Sequence, residues 1–139
     1  MAKISFKLPD DFMKKVEQLG ERRGEIIEKC LTAAGEVVEK KVKENLYNVL
    51  SPQERNGTLI NSLGVTSPKI DKNGVYNVKI GFDPARSDGK NNAMIASVLE
   101  YGTKDGRQPP RPFLKPAVKS VQKEAIETII NTFDKEVQG

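Results

Sequence analysis

The sequence predicts an α+β fold, with two long amphipathic helices packed on a small antiparallel sheet built around a β-hairpin. Three observations carry that prediction. Ile27, Leu31, Ala34, Val38, Val42, Leu46 and Val49 recur at steps of three and four, the spacing that lines one face of a helix. Val118, Val121, Ala125, Ile129, Phe133 and Val137 repeat the pattern near the C-terminus. Between them Tyr76, Val78, Ile80 and Phe82 alternate with polar residues, as a strand with one apolar face does. Two helical stripes and one apolar sheet face can cover each other as two layers.

Taken in order, Ile4, Phe6 and Leu8 alternate through Lys3 to Leu8 as a short strand, and Pro9-Asp10-Asp11 is a helix-start signal before Phe12, Val16 and Leu19. This unit, residues 1–21, reads as small and peripheral. The long helix spans 22–50, with Glu25 to Lys29, Glu36 to Lys40 and Glu39 to Lys43 on its outer face in the favourable i,i+4 order. Gly35 inside it requires either a close neighbouring backbone or a weakened helix, because glycine costs about 1 kcal/mol against alanine there. Ser51-Pro52 stops the helix. The hairpin occupies 62–82, its strands Leu63 to Ile70 and Val75 to Phe82 joined by Asp71-Lys72-Asn73-Gly74, where Asn-Gly is a strong turn signal. Pro68 withholds a ladder donor, which marks an edge or a bulge, and an edge strand offers a pairing site to a neighbouring subunit. Asp83 to Asn92 has no periodicity and reads as a mobile loop.

A short helix and a proline arm follow over 93–118, and the second long helix runs over 117–137. Ala93 to Tyr101 is a helix that Gly102 closes in the left-handed conformation. Four of the eight prolines fall between Pro109 and Pro116. Pro109, Pro110 and Pro112 stiffen the arm in extended geometry, Phe113 and Leu114 are its apolar tip, and Pro116 suits the first turn of a helix. Phe113 either fills the domain's own core, the commoner outcome for such a connector, or docks on another subunit.

At 139 residues the chain reads as a single domain over 1–139. With 37% hydrophobic and 30% charged residues and a mean hydropathy of -0.53, it has the composition of a globular domain with a modest core. No apolar run approaches a membrane span, and Met1 to Asp10 lacks the apolar block of a signal peptide; the expectation is a cytoplasmic product without a membrane partner. The 23 basic residues are interleaved with 19 acidic ones, so the net charge of +4 reads mainly as solvated helix surface rather than a nucleic-acid site. The alternative function is a basic protein that binds DNA phosphates without catalysis, using lysines and arginines of the helices together with Lys104, Arg107 and Arg111.

Chemistry is hard to place. The chain has no histidine and a single cysteine, Cys30, which removes the commonest general base and zinc ligand together. Cys30 lies on the helical stripe as a small buried hydrophobe. No phosphate-binding loop, nucleophile elbow or dinucleotide fingerprint is present. Asp83, Asp88 and Lys90 are the nearest approach to a metal-dependent nuclease cluster. Glu100, at the helix end, reads as a partner for Arg107 or Arg111. No catalytic, metal or cofactor residue is assigned.

Leu99-Glu100-Tyr101-Gly102-Thr103, followed within ten residues by Arg111-Pro112-Phe113-Leu114-Lys115-Pro116-Ala117, resembles the paired signature of the small head–tail connection proteins of long-tailed bacteriophages, known as neck, tail-completion or minor tail components. Gly57-Thr58-Leu59-Ile60-Asn61-Ser62-Leu63 resembles the segment that the family places between long helix and hairpin. Here the threonine follows the glycine, and the family's aspartate has no counterpart. The resemblance spans roughly 22–137. It implies a structural virion protein, without enzyme activity or cofactor, at the virion neck or tail after assembly in the host cytoplasm. It also implies that the protein forms a ring, by self-association, or joins one, with a head-closure or connector protein and a tail-tube or tail-terminator protein as partners. Gly57, Leu59, Ser62, Glu100, Tyr101, Gly102, Thr103, Arg111, Pro112, Phe113, Leu114 and Pro116 are the candidate motif or assembly residues.

Overall fold

The computed structural model describes residues 2–5, 8–55, 57–66, 68–70, 76–85 and 88–138. Its elements are β1 (Ala2–Ser5), α1 (Asp10–Glu17), α2 (Arg23–Val49), α3 (Thr58–Asn61), β2 (Leu63–Val65), β3 (Lys69–Ile70), β4 (Tyr76–Phe82), α4 (Asn92–Tyr101) and α5 (Leu114–Gln138), with single 3-10 turns at Gly20–Arg22 and Pro52–Glu54. The predicted α+β class holds.

The two apolar stripes meet where α2 and α5 pack along each other. Lys29 Nζ reaches Glu136 Oε2 at 3.2 Å near one end of the pair, while Asn45 Nδ2 donates to the Phe113 carbonyl at 3.4 Å near the other, so the helices are antiparallel. Ala34, Val38, Val42 and Leu46 are buried on α2, and Ala117, Val121, Ala125, Ile129 and Phe133 on α5. Two of the expected outer-face ion pairs form, Glu25 with Lys29 at 3.5 Å and Glu39 with Lys43 at 3.3 Å. The C-terminal helix begins three residues before the predicted Ala117.

The sheet lies against α2. β4 is its centre, paired antiparallel with β1 on one side and with β2 and β3 on the other. The hairpin's first strand, which carries Pro68, therefore stays at the edge of the sheet as the proline indicated, while β1 covers the second. The other strand of the hairpin is broken where Pro68 foretold a bulge. Leu63 faces Phe82 and Val65 faces Ile80, but Lys69 faces Asn77 rather than Tyr76, so one extra residue is accommodated between β2 and β3. Thr66 bridges the break, its N–H donating to the Lys79 carbonyl at 2.8 Å and its Oγ1 accepting from the Lys79 N–H at 3.0 Å. The Asp71–Gly74 turn lies outside the described residues. Val78 and Ile80 are buried toward α2, and Asn77 is buried on the face where a solvated side chain was expected.

Gly35 is where sheet and helix come closest. A Cβ there would sit 3.1 Å from Val65 Cγ1, so the close neighbour is a strand side chain, not a backbone. The N-terminal unit is also less peripheral than its size implies. Phe12 and Val16 are buried, and the Phe12 ring meets Phe133 edge-on with centroids 4.8 Å apart, an aromatic geometry worth about 1 kcal/mol beyond burial.

Cys30 is fully buried. Burial, reinforced by the charge of Glu136, pushes its thiol up from 9.0 to about 11. The folded protein thus holds this proton to higher pH than the unfolded chain. The resulting stability is complete below pH 9 and is lost as pH rises through about 11. Urea midpoints compared below pH 9 and near pH 11 are expected to fall more in the natural protein than in Cys30→Ala; equal losses would show that the thiol contributes nothing.

Candidate assembly site

The site forms where three helix ends converge on the segment 102–113. The first is the C-terminus of α4. The Gly102 N–H donates to the Val98 carbonyl at 2.7 Å, and the Arg111 N–H donates to the next one, Leu99, at 2.6 Å. Gly102 adopts φ 76° and ψ −178°, a positive-φ conformation that is extended in ψ rather than the predicted left-handed helical one. An added Cβ would meet the Gln108 carbonyl oxygen at 2.8 Å and Pro110 at 3.0 Å. Gly102→Ala is expected to destabilise by about 2–3 kcal/mol, from a backbone penalty of roughly 1–3 kcal/mol in a region that is essentially glycine's alone plus the clash; a thermal melt within one degree of the natural protein would refute it.

The loop beyond is tied internally. Thr103 Oγ1 donates to Asp105 Oδ1 at 2.7 Å and accepts from the Gln108 N–H at 3.1 Å. The Arg107 N–H also reaches Asp105 Oδ1, at 3.0 Å. The Thr103 hydroxyl first, and then this N–H, hold the Asp105 carboxyl below its ordinary range. Thr103 thus organises the loop.

The second end is the C-terminus of α2, where Arg111 Nη1 donates to the Val49 carbonyl at 2.8 Å. A cation at this position satisfies a terminal carbonyl and complements the helix dipole. The third is the N-terminus of α5. Glu100, itself buried, accepts from the Phe113 N–H at 2.8 Å and the Leu114 N–H at 3.0 Å through Oε2, and from the Lys115 N–H at 2.9 Å through Oε1. A helix start leaves four N–H groups without intrahelical partners. Glu100 takes three, and Pro116, next in line, has none to satisfy. The expected Glu100 pairing with Arg107 or Arg111 is replaced by this cap: Arg107 faces Asp105 at 3.4 Å and Arg111 serves α2.

Phe113 is 1% exposed and sits edge-on to Phe82 with centroids 6.0 Å apart, so the arm's apolar tip belongs to the protein's own core. Leu114 is half-buried and Pro112 exposed. A cleft of about 240 Å³ opens between Leu63, Phe82, Ala96, Tyr101, Phe113 and Leu114. Tyr101 is 61% exposed, with Lys115 Nζ 5.5 Å from its ring centre.

The upstream motif has a local role. Gly57, at φ 90°, precedes α3 without a side-chain cap. Leu59 is buried, Ser62 Oγ donates to the Leu59 carbonyl at 2.6 Å, and the Ser62 carbonyl accepts from the Asp83 N–H at 2.8 Å. This places Leu63 in the wall of the cleft, while Gly57 stays apart from it.

Asn92 did not stand out in the sequence. It is 1% exposed, and its Nδ2 donates to the Asp83 and Ala85 carbonyls at 2.8 and 3.1 Å, fixing the described part of the loop expected to be mobile. Asn91 caps α4 by accepting from the Met94 N–H at 3.1 Å. The pair Asn91-Asn92 before an apolar run was the available signal. Asp83 and Asp88 accept from the Ala85 and Lys90 N–H groups, turn contacts rather than a metal cluster. Among the described residues no group of three or more acidic, cysteine or histidine side chains is placed to hold a metal, and no helix is long and apolar enough to cross a membrane.

A family model described as bacteriophage HK97-gp10, a candidate tail component, matches residues 10–102, about two thirds of the chain. The chain belongs to the HK97-gp10-like family of phage tail components. The match ends at Gly102, so it includes the Glu100 cap but stops before Arg111 to Ala117, the cap's recipient. No curated protein and no solved structure matches.

Proposed function

We propose that this tail-component protein is a non-catalytic subunit of a ring at the neck or head-proximal end of the tail, seated between a head-closure or connector protein and a tail-tube or tail-terminator protein. One observation carries the reading. The outer face of α4 carries no charge and is mostly apolar, with Met94 68% and Tyr101 61% exposed beside exposed Ser97, and the helix's one charged residue, Glu100, is turned inward to cap α5. In a chain with 30% charged residues, a helix without an outward charge is a surface that a neighbour covers.

Because Phe113 is internal, the residue that tests assembly is Tyr101. Tyr101→Asp is expected to keep its fold, since the side chain is exposed, and to leave heads and tails unjoined. Electron microscopy of the purified protein, alone and mixed with tail tubes or portal complexes, is expected to show rings or co-assembly. Absence of both, with normal head–tail joining in Tyr101→Asp, overturns the proposal. Salt-dependent binding of a monomer to duplex DNA would favour the nucleic-acid alternative instead.

A further inference from the structure

A ring of identical subunits needs two different surfaces on each, because a head-to-tail contact joins unlike patches. Two described surfaces match in both polarity and charge. The first is the outer face of α4, with exposed Met94 and Tyr101; Lys115 Nζ lies 5.5 Å from the Tyr101 ring centre, and the exposed cations Lys104 and Arg107 follow in the loop that leaves the helix. Asp105 is the only acid between Gly102 and Lys115, and its Oδ2 already faces Arg107. The second is a groove of about 240 Å³ between α2 and the bulged sheet edge. Half-buried Val65 and Pro68 give it an apolar wall, and exposed Glu28 and Glu36 give it an acidic rim, beside Glu39, which already faces Lys43 at 3.3 Å.

The two surfaces lie toward opposite ends of α2. The groove's lining on α2 runs from Glu28 to Glu39, and Arg111 is fastened to Val49, a separation of about 15 Å from the groove's nearer end and about 30 Å from its farther one at 1.5 Å per residue. One subunit cannot bring them together. We infer that the basic-rimmed apolar face of α4 in one copy docks into the acidic groove between α2 and the sheet edge of the next, and that a second copy of this chain is the occupant. The inference rests on the ring reading, which it deepens by naming both faces. Opposite charge rims would set the register and speed encounter, while the apolar centres supply contact area.

The test uses two double variants with substitutions at exposed positions. Lys104→Glu with Arg107→Glu reverses one rim; Glu28→Lys with Glu36→Lys reverses the other. By sedimentation velocity each variant alone is expected to self-associate at least roughly tenfold more weakly than the natural protein, because like charges then oppose each other. An equimolar mixture is expected to recover association well above that of either variant alone, since every contact between unlike variants pairs opposite charges again, in open chains and in rings with an even number of subunits. Unchanged melting temperatures exclude a folding defect. If the natural protein assembles but both variants assemble equally well, or the mixture does not recover, the interface is wrong and the ring stands. If the natural protein never assembles, alone or on tail tubes, the ring and the interface fall together.

Discussion

Glu100→Ala is expected to lower the unfolding free energy by about 4 kcal/mol. The estimate follows from three charge-assisted hydrogen bonds to the start of α5, each worth roughly 1.5–3 kcal/mol and not additive, and from the N–H groups that truncation leaves without an acceptor at a buried helix end. Glu100→Gln keeps one acceptor and turns an amide NH₂ toward a donor, so it is expected to lose about half as much. Urea titration measures both, with an unchanged slope m showing that the midpoint shift is a stability change. A Glu100→Ala loss below about 1 kcal/mol would mean that α5 does not depend on this cap.

Phe113→Ala is expected to cost a similar amount, about 4 kcal/mol, the range for truncating a buried phenylalanine. The ring is 1% exposed and edge-on to Phe82, and its removal would enlarge the existing cleft rather than let the core close. Phe113→Leu, which keeps most of the volume, is expected to cost under about 1.5 kcal/mol. Thermal unfolding separates the two. A failure of Phe113→Ala particles to assemble would follow from this loss, and assembly recovered at low temperature would confirm that the residue acts through stability. Equal melting of Phe113→Ala and the natural protein would show that the ring contributes no core packing.

The two long helices were legible because their stripes repeat over about five to six turns, and the end of α4 because Gly102 follows the last apolar residue. What stayed hidden depends on residues distant in the chain. The start of α5 has no serine, threonine, aspartate or asparagine just before Leu114; its cap arrives from Glu100, thirteen residues before the first donor. Charge alone pointed Glu100 at an arginine, whereas the loop ties between Thr103, Asp105 and Gln108 return the backbone of Phe113 to it instead. Gly35 announced a close approach, but not that Val65 would make it, because strand register is set across the sheet. The exposed face of α4 left no mark in the sequence, where a short run of apolar residues over Ala93 to Tyr101 does not tell a covered helix face from an open one.

The convergence of three helix ends on one short segment has a mechanical consequence. Arg111 is bonded through its backbone to α4 and through its side chain to α2, while Glu100 joins α4 to α5. A push or pull applied at the outer face of α4 therefore passes into the α2–α5 pair through short hydrogen bonds, without first taking up slack in the connecting chain. Tension that reached the subunit through α4 would load the α2–α5 pair directly, and the proline-rich segment would serve as a rivet rather than a tether.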